Sequence, residues 1–184
     1  MSWCHTEETT VNSAMAIRDY SKSVGTTFYA YHPDQMAAII KAWTEAPWPL
    51  TMQEAFTLRD QCGWTASPGC YPSFCTPVSN EEPDGHILIN YGDQSLTSGV
   101  DVMVTTRAQL RFEERTAAIA GSIYREYLSA FSSLYGKPKE KYEDTGLYVD
   151  WILQNGPSVF LSPGSTFIEV YVRSPEATVD AILN

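Results

Sequence analysis

Apolar residues recur along this chain with two different periods, and the change of period marks its elements. Met36, Ile39, Ile40 and Trp43 follow one another at steps of three and four, the spacing of one helix face. They predict a helix over 33–46, with Pro33 suited to its first position, Asp34 to the dipole of its first turn, and Pro47 and Pro49 ending it. Thr51-Met-Gln-Glu54 is a capping box, in which hydroxyl and carboxylate each satisfy an orphan amide. It opens a second helix to about Cys62, closed by Gly63 in a left-handed conformation, with Leu50 and Ala55 at the staple positions. From 71 to 106 the period falls to two. Tyr71 to Val78 reads as a strand broken by Pro72 and Pro77, His86 to Tyr91 and Val100 to Thr105 as alternating strands, and 92–99 as the loose hairpin between them.

Helical spacing returns over 110–135, where Phe112, Thr116, Ile119, Ile123, Tyr127, Phe131 and Leu134 form a stripe that Gly136 and Pro138 stop. Lys137 to Asp144 reads as a charged loop. Leu147–Leu153, Val159–Leu161 and Phe167–Val172 read as strands, and a short helix opens at Ser174-Pro-Glu. In the first of these segments Asp150 is expected on the solvent side, opposite Trp151. The order α-α-β3-α-β3-α, with strands joined by tight turns, implies an α+β fold: antiparallel sheet with helices packed on one face. Residues 33–184 are expected to form that single domain. Residues 1–32 are polar, and read as a loosely attached arm with one short helix around 11–21 and an apolar cluster at Phe28, Tyr29 and Tyr31.

Composition narrows the functions. Hydrophobic residues make up 43% of the 184 and charged ones only 18%, ample for a core. Twenty-two acids against twelve bases leave a net charge of −10, which repels phosphate backbones and anionic lipid, so neither nucleic acid nor a membrane surface is an expected partner. The first fifteen residues carry no basic, apolar and small-residue sequence of a secretory signal, which points to a cytoplasmic address with reduced thiols. Cys62, Cys70 and Cys75 are spaced C-x7-C and C-x4-C, unlike the tight knuckles of zinc sites. Burial as small hydrophobes is their simpler reading, and no metal or cofactor is expected.

The chain lacks the phosphate-cradling glycine motifs, a G-x-S-x-G elbow and H-E-x-x-H. His5, His32 and His86 are scattered; His32 suits a helix cap, and His86 an edge strand facing solvent or a general base. Glu113 and Glu114 diverge by about 100° on a helix and fit its dipole better than a paired-carboxylate site. The charge pattern is more informative. No lysine or arginine falls between Arg59 and Arg107, whereas Asp60, Glu81, Glu82, Asp84, Asp93 and Asp101 do, and most of these, on the segment 78–101, are expected along one edge of the sheet. Such a run either discourages strand-to-strand aggregation or forms an electrostatic landing surface for a basic partner. On the second reading the loops 79–85 and 92–99 enter the partner, and Trp3, Trp43 and Trp48 are available as anchors, although Trp43 sits on the core stripe of its helix.

The segment WPLTMQEAFTLRDQCGW, Trp48 to Trp64, resembles the opening of a family of small actinobacterial proteins of largely uncharacterised function. Further matching pieces follow in the same order: a β-hairpin, a long helix ending in Leu134-Tyr-Gly-Lys-Pro138, the Trp-bearing strand Val149 to Gly156, and a strand ending in Arg173-Ser-Pro175. The similarity covers about 45–176. Members resemble immunity proteins of polymorphic or type VII-secreted toxins, such as the immunity factor of a mycobacterial NAD-hydrolysing toxin. The resemblance implies a cytoplasmic protein that is not an enzyme and that binds and blocks a cognate toxin domain. The element order is also similar to that of acidic secretion chaperones, which bind exported effectors as dimers. That alternative, and an enzyme of unrecognised type, stand beside the first reading because fold alone does not assign function.

Overall fold

The computed structural model describes residues 17–143 and 146–183. Their elements are β1 (Ile17–Asp19), α1 (Ser21–Val24), β2 (Tyr29–Tyr31), α2 (Pro33–Thr44), α3 (Met52–Gln61), β3 (Thr65–Ala66), β4 (Ser73–Cys75), β5 (Gly85–Ile89) and β6 (Thr97–Met103). A 3-10 turn at Leu110–Phe112 leads into α4 (Glu113–Tyr135), followed by β7 (Lys139–Glu143), β8 (Gly146–Ile152), β9 (Ser158–Pro163), β10 (Ile168–Arg173) and α5 (Pro175–Leu183). Eight strands form one sheet in the order β3-β4-β5-β6-β10-β9-β8-β7, and β1 and β2 form a separate ribbon. Every pair is antiparallel. The sheet is therefore two meanders, β3–β6 and β7–β10, joined along their last strands, with α4 carrying the chain from one to the other. This is the expected α+β architecture.

The core lies on one face of the sheet. Alternation sends Val100, Val102, Ile168, Val170, Val172, Val159 and Leu161 to that face, each wholly shielded from solvent. Helices α2 and α4 pack together over β9 and β10, and α3 lies against β5. Trp43, Trp64 and Phe74 stack with centroid separations of 6.2 and 4.8 Å. Phe74 reaches Trp64 because its ring lies over Gly85, where a Cβ would sit 2.1 Å from it. Tyr127 of α4 donates to the carbonyls of Tyr31 (2.8 Å) and Val104 (3.0 Å), tying helix to sheet. The capping box forms as expected: Thr51 Oγ1 accepts from Glu54 N at 3.2 Å, Glu54 accepts from Thr51 N at 2.8 Å, and Gly63 takes a φ of 74°.

Several expectations fail for identifiable reasons. The described part of the arm is not loose: Phe28, Ala30 and Tyr31 are fully buried, and residues 17–19 form a strand rather than the end of a helix. Tyr29 N donates to Thr106 Oγ1 at 2.9 Å, which ties the segment to the chain just after β6. The charged segment after α4 is a strand, β7, because β8 supplies its partners. Asp150 does lie on the face away from Trp151, paired with Phe160, but it is buried there, 3% exposed, and does not meet solvent as expected. Cys62 is buried as expected but Cys70 is exposed. His32 occupies the N-cap of α2 without a side-chain cap bond. Tyr91 is fully exposed and Leu134 is 45% exposed, so neither joins its expected apolar face. Residues 1–16, with Trp3, Cys4, His5 and the first part of the expected arm helix, lie outside the described residues, as do Asp144 and the Leu147 side chain.

Candidate functional site

The strands that send valines and isoleucines into the core send their alternate residues to the opposite face. There the register sets His86 beside Asp101, Asp101 beside Tyr171, and Tyr171 beside Phe160. One step along, Met103 pairs with Glu169. His86 Nδ1 lies 3.2 Å from Asp101 Oδ1, with side-chain exposures of 49% for the histidine and 18% for the aspartate. Phe160 sits between Tyr148 and Tyr171, at centroid separations of 4.3 and 5.4 Å, and the Arg173 guanidinium lies 5.4 Å from its ring centre. The result is a row of titratable groups flanked by aromatic rings.

The electrostatics of this row are adverse to its own negative charge. Partial burial raises the Asp101 carboxyl above its ordinary value, with His86 opposing. Glu169 is raised by burial and then by the charge of Asp101; Tyr171 is pushed up by burial and by both carboxylates. Among the described residues, neither carboxylate has an ion pair with a lysine or arginine. Arg107, which partly offsets Glu169, is directed over the Phe167 ring at 4.7 Å. Two half-desolvated carboxylates with aromatic neighbours make a surface suited to a cationic side chain.

At the Met103 end, a cleft of about 220 Å³ opens between loop 79–84 and residues 107–109, with Glu82, Asp84, Met103 and Arg107 in its lining. Glu81, at the loop tip, is exposed and holds a φ of 67°, uncommon for a residue with a side chain. Ser79 Oγ donates to the Glu82 carbonyl at 2.6 Å. Asp84 anchors the loop from beneath, accepting from Thr76 N (2.7 Å) and Thr76 Oγ1 (2.6 Å). Burial pushes its carboxyl up to about 6 against these bonds.

The acidic residues singled out from sequence are thus divided. Glu81 and Glu82 are exposed on one loop, Asp101 faces the open side of the sheet, and Asp84 is buried and holds the loop in place. Asp93 lies in the β5–β6 hairpin, at the other end of β5, where it accepts from Ser95 N (2.9 Å) and Ser95 Oγ (2.6 Å); these bonds lower its carboxyl below the ordinary range. Loops 79–85 and 92–99 therefore do not form one surface. Nor do these residues follow one sheet edge, since β5 and β6 are interior strands. Of the anchors, Trp43 is core and Trp48 is half-buried at the surface. Sequence reading missed Glu169, Tyr171 and Phe160. Alternation over 167–172 places Glu169 and Tyr171 outward, but only the β6–β10 register brings them to Asp101.

A model of DUF6301, described as a family of unknown function, matches residues 34–174. The chain belongs to that family. No curated protein and no solved structure matches it. The match takes in His86, Asp101, Phe160, Glu169 and Tyr171, so the open-face row falls within the family's part of the chain. The packed segment 17–31, with Val24, Phe28, Ala30 and Tyr31 buried, precedes the DUF6301 match, and α5 follows it.

Proposed function

We propose that this chain is a binding protein of the immunity type, which docks on a basic protein domain through the open face of its sheet and blocks it. The observation that carries the reading is the Asp101–Glu169 pair: two carboxylates raised by burial, set among His86, Tyr171 and Phe160, on the face opposite the core. A lysine or arginine from a partner relieves that charge. The net charge of −10 steers such a partner in, and the exposed Glu81 and Glu82 extend the field at one end. The resemblance to toxin-immunity proteins supplies the class of partner, a toxin domain met in the cytoplasm. No helix among the described residues is long and apolar enough to cross a membrane.

An enzyme of unrecognised type is the second reading, favoured by the His86–Asp101 contact. That contact lies on a sheet face and is not part of the lining of the cleft beside Met103, which is why binding is preferred.

The test is recovery of tagged protein from its host at moderate salt, identification of a stoichiometric partner by mass spectrometry, and assay of that partner's activity with and without this chain. Inhibition of a toxin domain is expected. A retained but uninhibited export substrate would favour the chaperone instead. With the partner in hand, Asp101→Asn combined with Glu169→Gln is expected to slow association about tenfold and flatten its salt dependence. Unchanged kinetics would remove the open face from the interface.

A further inference from the structure

A second recessed surface lies at the root of α5, apart from the open-face row. Trp48, Pro49, Leu96, Pro175 and Glu176 line a cleft of about 260 Å³ in which apolar atoms predominate. Trp48 is held by its indole N–H, which donates to the Trp43 carbonyl at 3.0 Å. Asn90 Nδ2 donates to Glu176 Oε2 at 2.8 Å across the rim, joining the β5–β6 hairpin to the helix. The helix is pinned where it begins: Ser174 N donates to the Ser98 carbonyl at 2.8 Å, and Thr178 Oγ1 meets Ser158 Oγ at 3.0 Å. Beyond the cleft α5 does not bury its apolar residues. Val179, Ile182 and Leu183 are 53%, 56% and 77% exposed. At 100° per residue all three fall within about 80° of Pro175 around the helix axis, so they continue the cleft's apolar wall for two further turns.

The occupant follows from area and charge. Those three side chains expose roughly 300 Å², well under the ~800 Å² per partner that a stable dimer buries. A second copy would also bring another ten negative charges. The charged group in the lining is Glu176, whose carboxylate is bonded to a neutral amide and has no ion pair with a base among the described residues. We propose that this cleft is a peptide-anchor site, taking one apolar side chain from a partner segment in which the adjacent residue is lysine or arginine. The apolar anchor fills the Trp48–Leu96–Pro175 recess, the cation meets Glu176, and the rest of the segment lies along Val179 and Ile182. The inference is independent of the open-face reading.

The test uses the full chain and two probes, acetyl-Arg-Leu-Arg-amide and acetyl-Glu-Leu-Glu-amide, titrated by NMR. Binding of the first is expected at roughly millimolar Kd. Shifts should gather on the Trp48 indole N–H and the amides of Leu96, Thr97 and Glu176. The acidic probe should bind about tenfold more weakly. Glu176→Gln should remove that discrimination, and Val179→Asp with Ile182→Asp, at exposed positions that leave the fold intact, should weaken both probes. Asp101→Asn with Glu169→Gln should leave the shifts in place. Absent shifts, equal response to both probes, or shifts centred on His86 and Tyr171 would overturn the proposal. A dimer in sedimentation that Ile182→Asp splits would instead assign the surface to a second copy.

Discussion

The two faces of β5, β6 and β10 are made by the same backbone and alternate residues, yet they are subject to opposite constraints. On the core face Val100, Val102, Ile168, Val170 and Val172 join the hydrophobic cluster, and each is fully shielded. On the open face His86, Asp101, Glu169 and Tyr171 stand in register, and the carboxyls sit above their ordinary values because burial disfavours their charge. Stability therefore resides in one face. The other holds groups whose ionised forms the fold itself disfavours, the feature on which the proposed docking role rests.

The contrast is sharpest in the core. Phe131 of α4 is fully buried and meets Trp151 edge-on at 5.8 Å. Phe131→Ala is expected to lose about 3–5 kcal/mol in a urea titration. Loss of less than about 1 kcal/mol would mean that α4 is not seated on the sheet as described. Next comes Tyr127→Phe, which removes the buried hydroxyl donor from the Tyr31 carbonyl and one of two donors from the Val104 carbonyl, which keeps the Tyr31 N–H; about 1–3 kcal/mol is expected.

A third prediction concerns pH. In the folded protein the Asp84 carboxyl is raised from 3.8 to about 6, so the native state holds this proton more firmly than the unfolded chain does. Its contribution is fully present below pH 3.8 and is lost as pH rises through about 6. Asp101 and Glu169, also raised, act in the same direction, whereas the lowered Glu54 and Asp93 act in the opposite one. Asp84→Asn should remove the Asp84 component, making stability depend less steeply on pH between 4 and 7 than in the parent, measured by thermal melts at each pH. An unchanged slope would place Asp84 in contact with water. The smallest effect is expected on the open face. Glu169→Gln should change stability by less than about 0.5 kcal/mol, toward stabilisation, while weakening partner association. A large destabilisation would show that this face is structural after all.

Some of this was legible locally. Helix α3 is announced by Thr51 and Glu54, α2 by Pro33 and its apolar spacing, and β6 and β10 by strict alternation, because caps and periodicity act over a few residues. Strand β7 was not legible: Lys139-Glu-Lys-Tyr-Glu143 has no apolar stripe, and its strand state comes from pairing with β8 at the sheet edge. Residues 17–31 were not legible either. Their burial depends on Val104 and Thr106, more than seventy residues away, accepting and donating the bonds that hold β2.

The acidic charge, the helix and strand periods and hence the α+β class depend only on composition or on near neighbours, and so are legible from the chain alone. The folded arrangement sorted the acids by position. It buried Asp84 under its own loop, left Glu81 and Glu82 in solvent, put Asp93 at the far end of the sheet, and brought Asp101 to Glu169 and Tyr171. Register is the cause. Two strands separated by a long helix choose their pairing by burying Val100, Val102, Val170 and Val172 together, and the open face inherits whatever alternate residues that choice aligns.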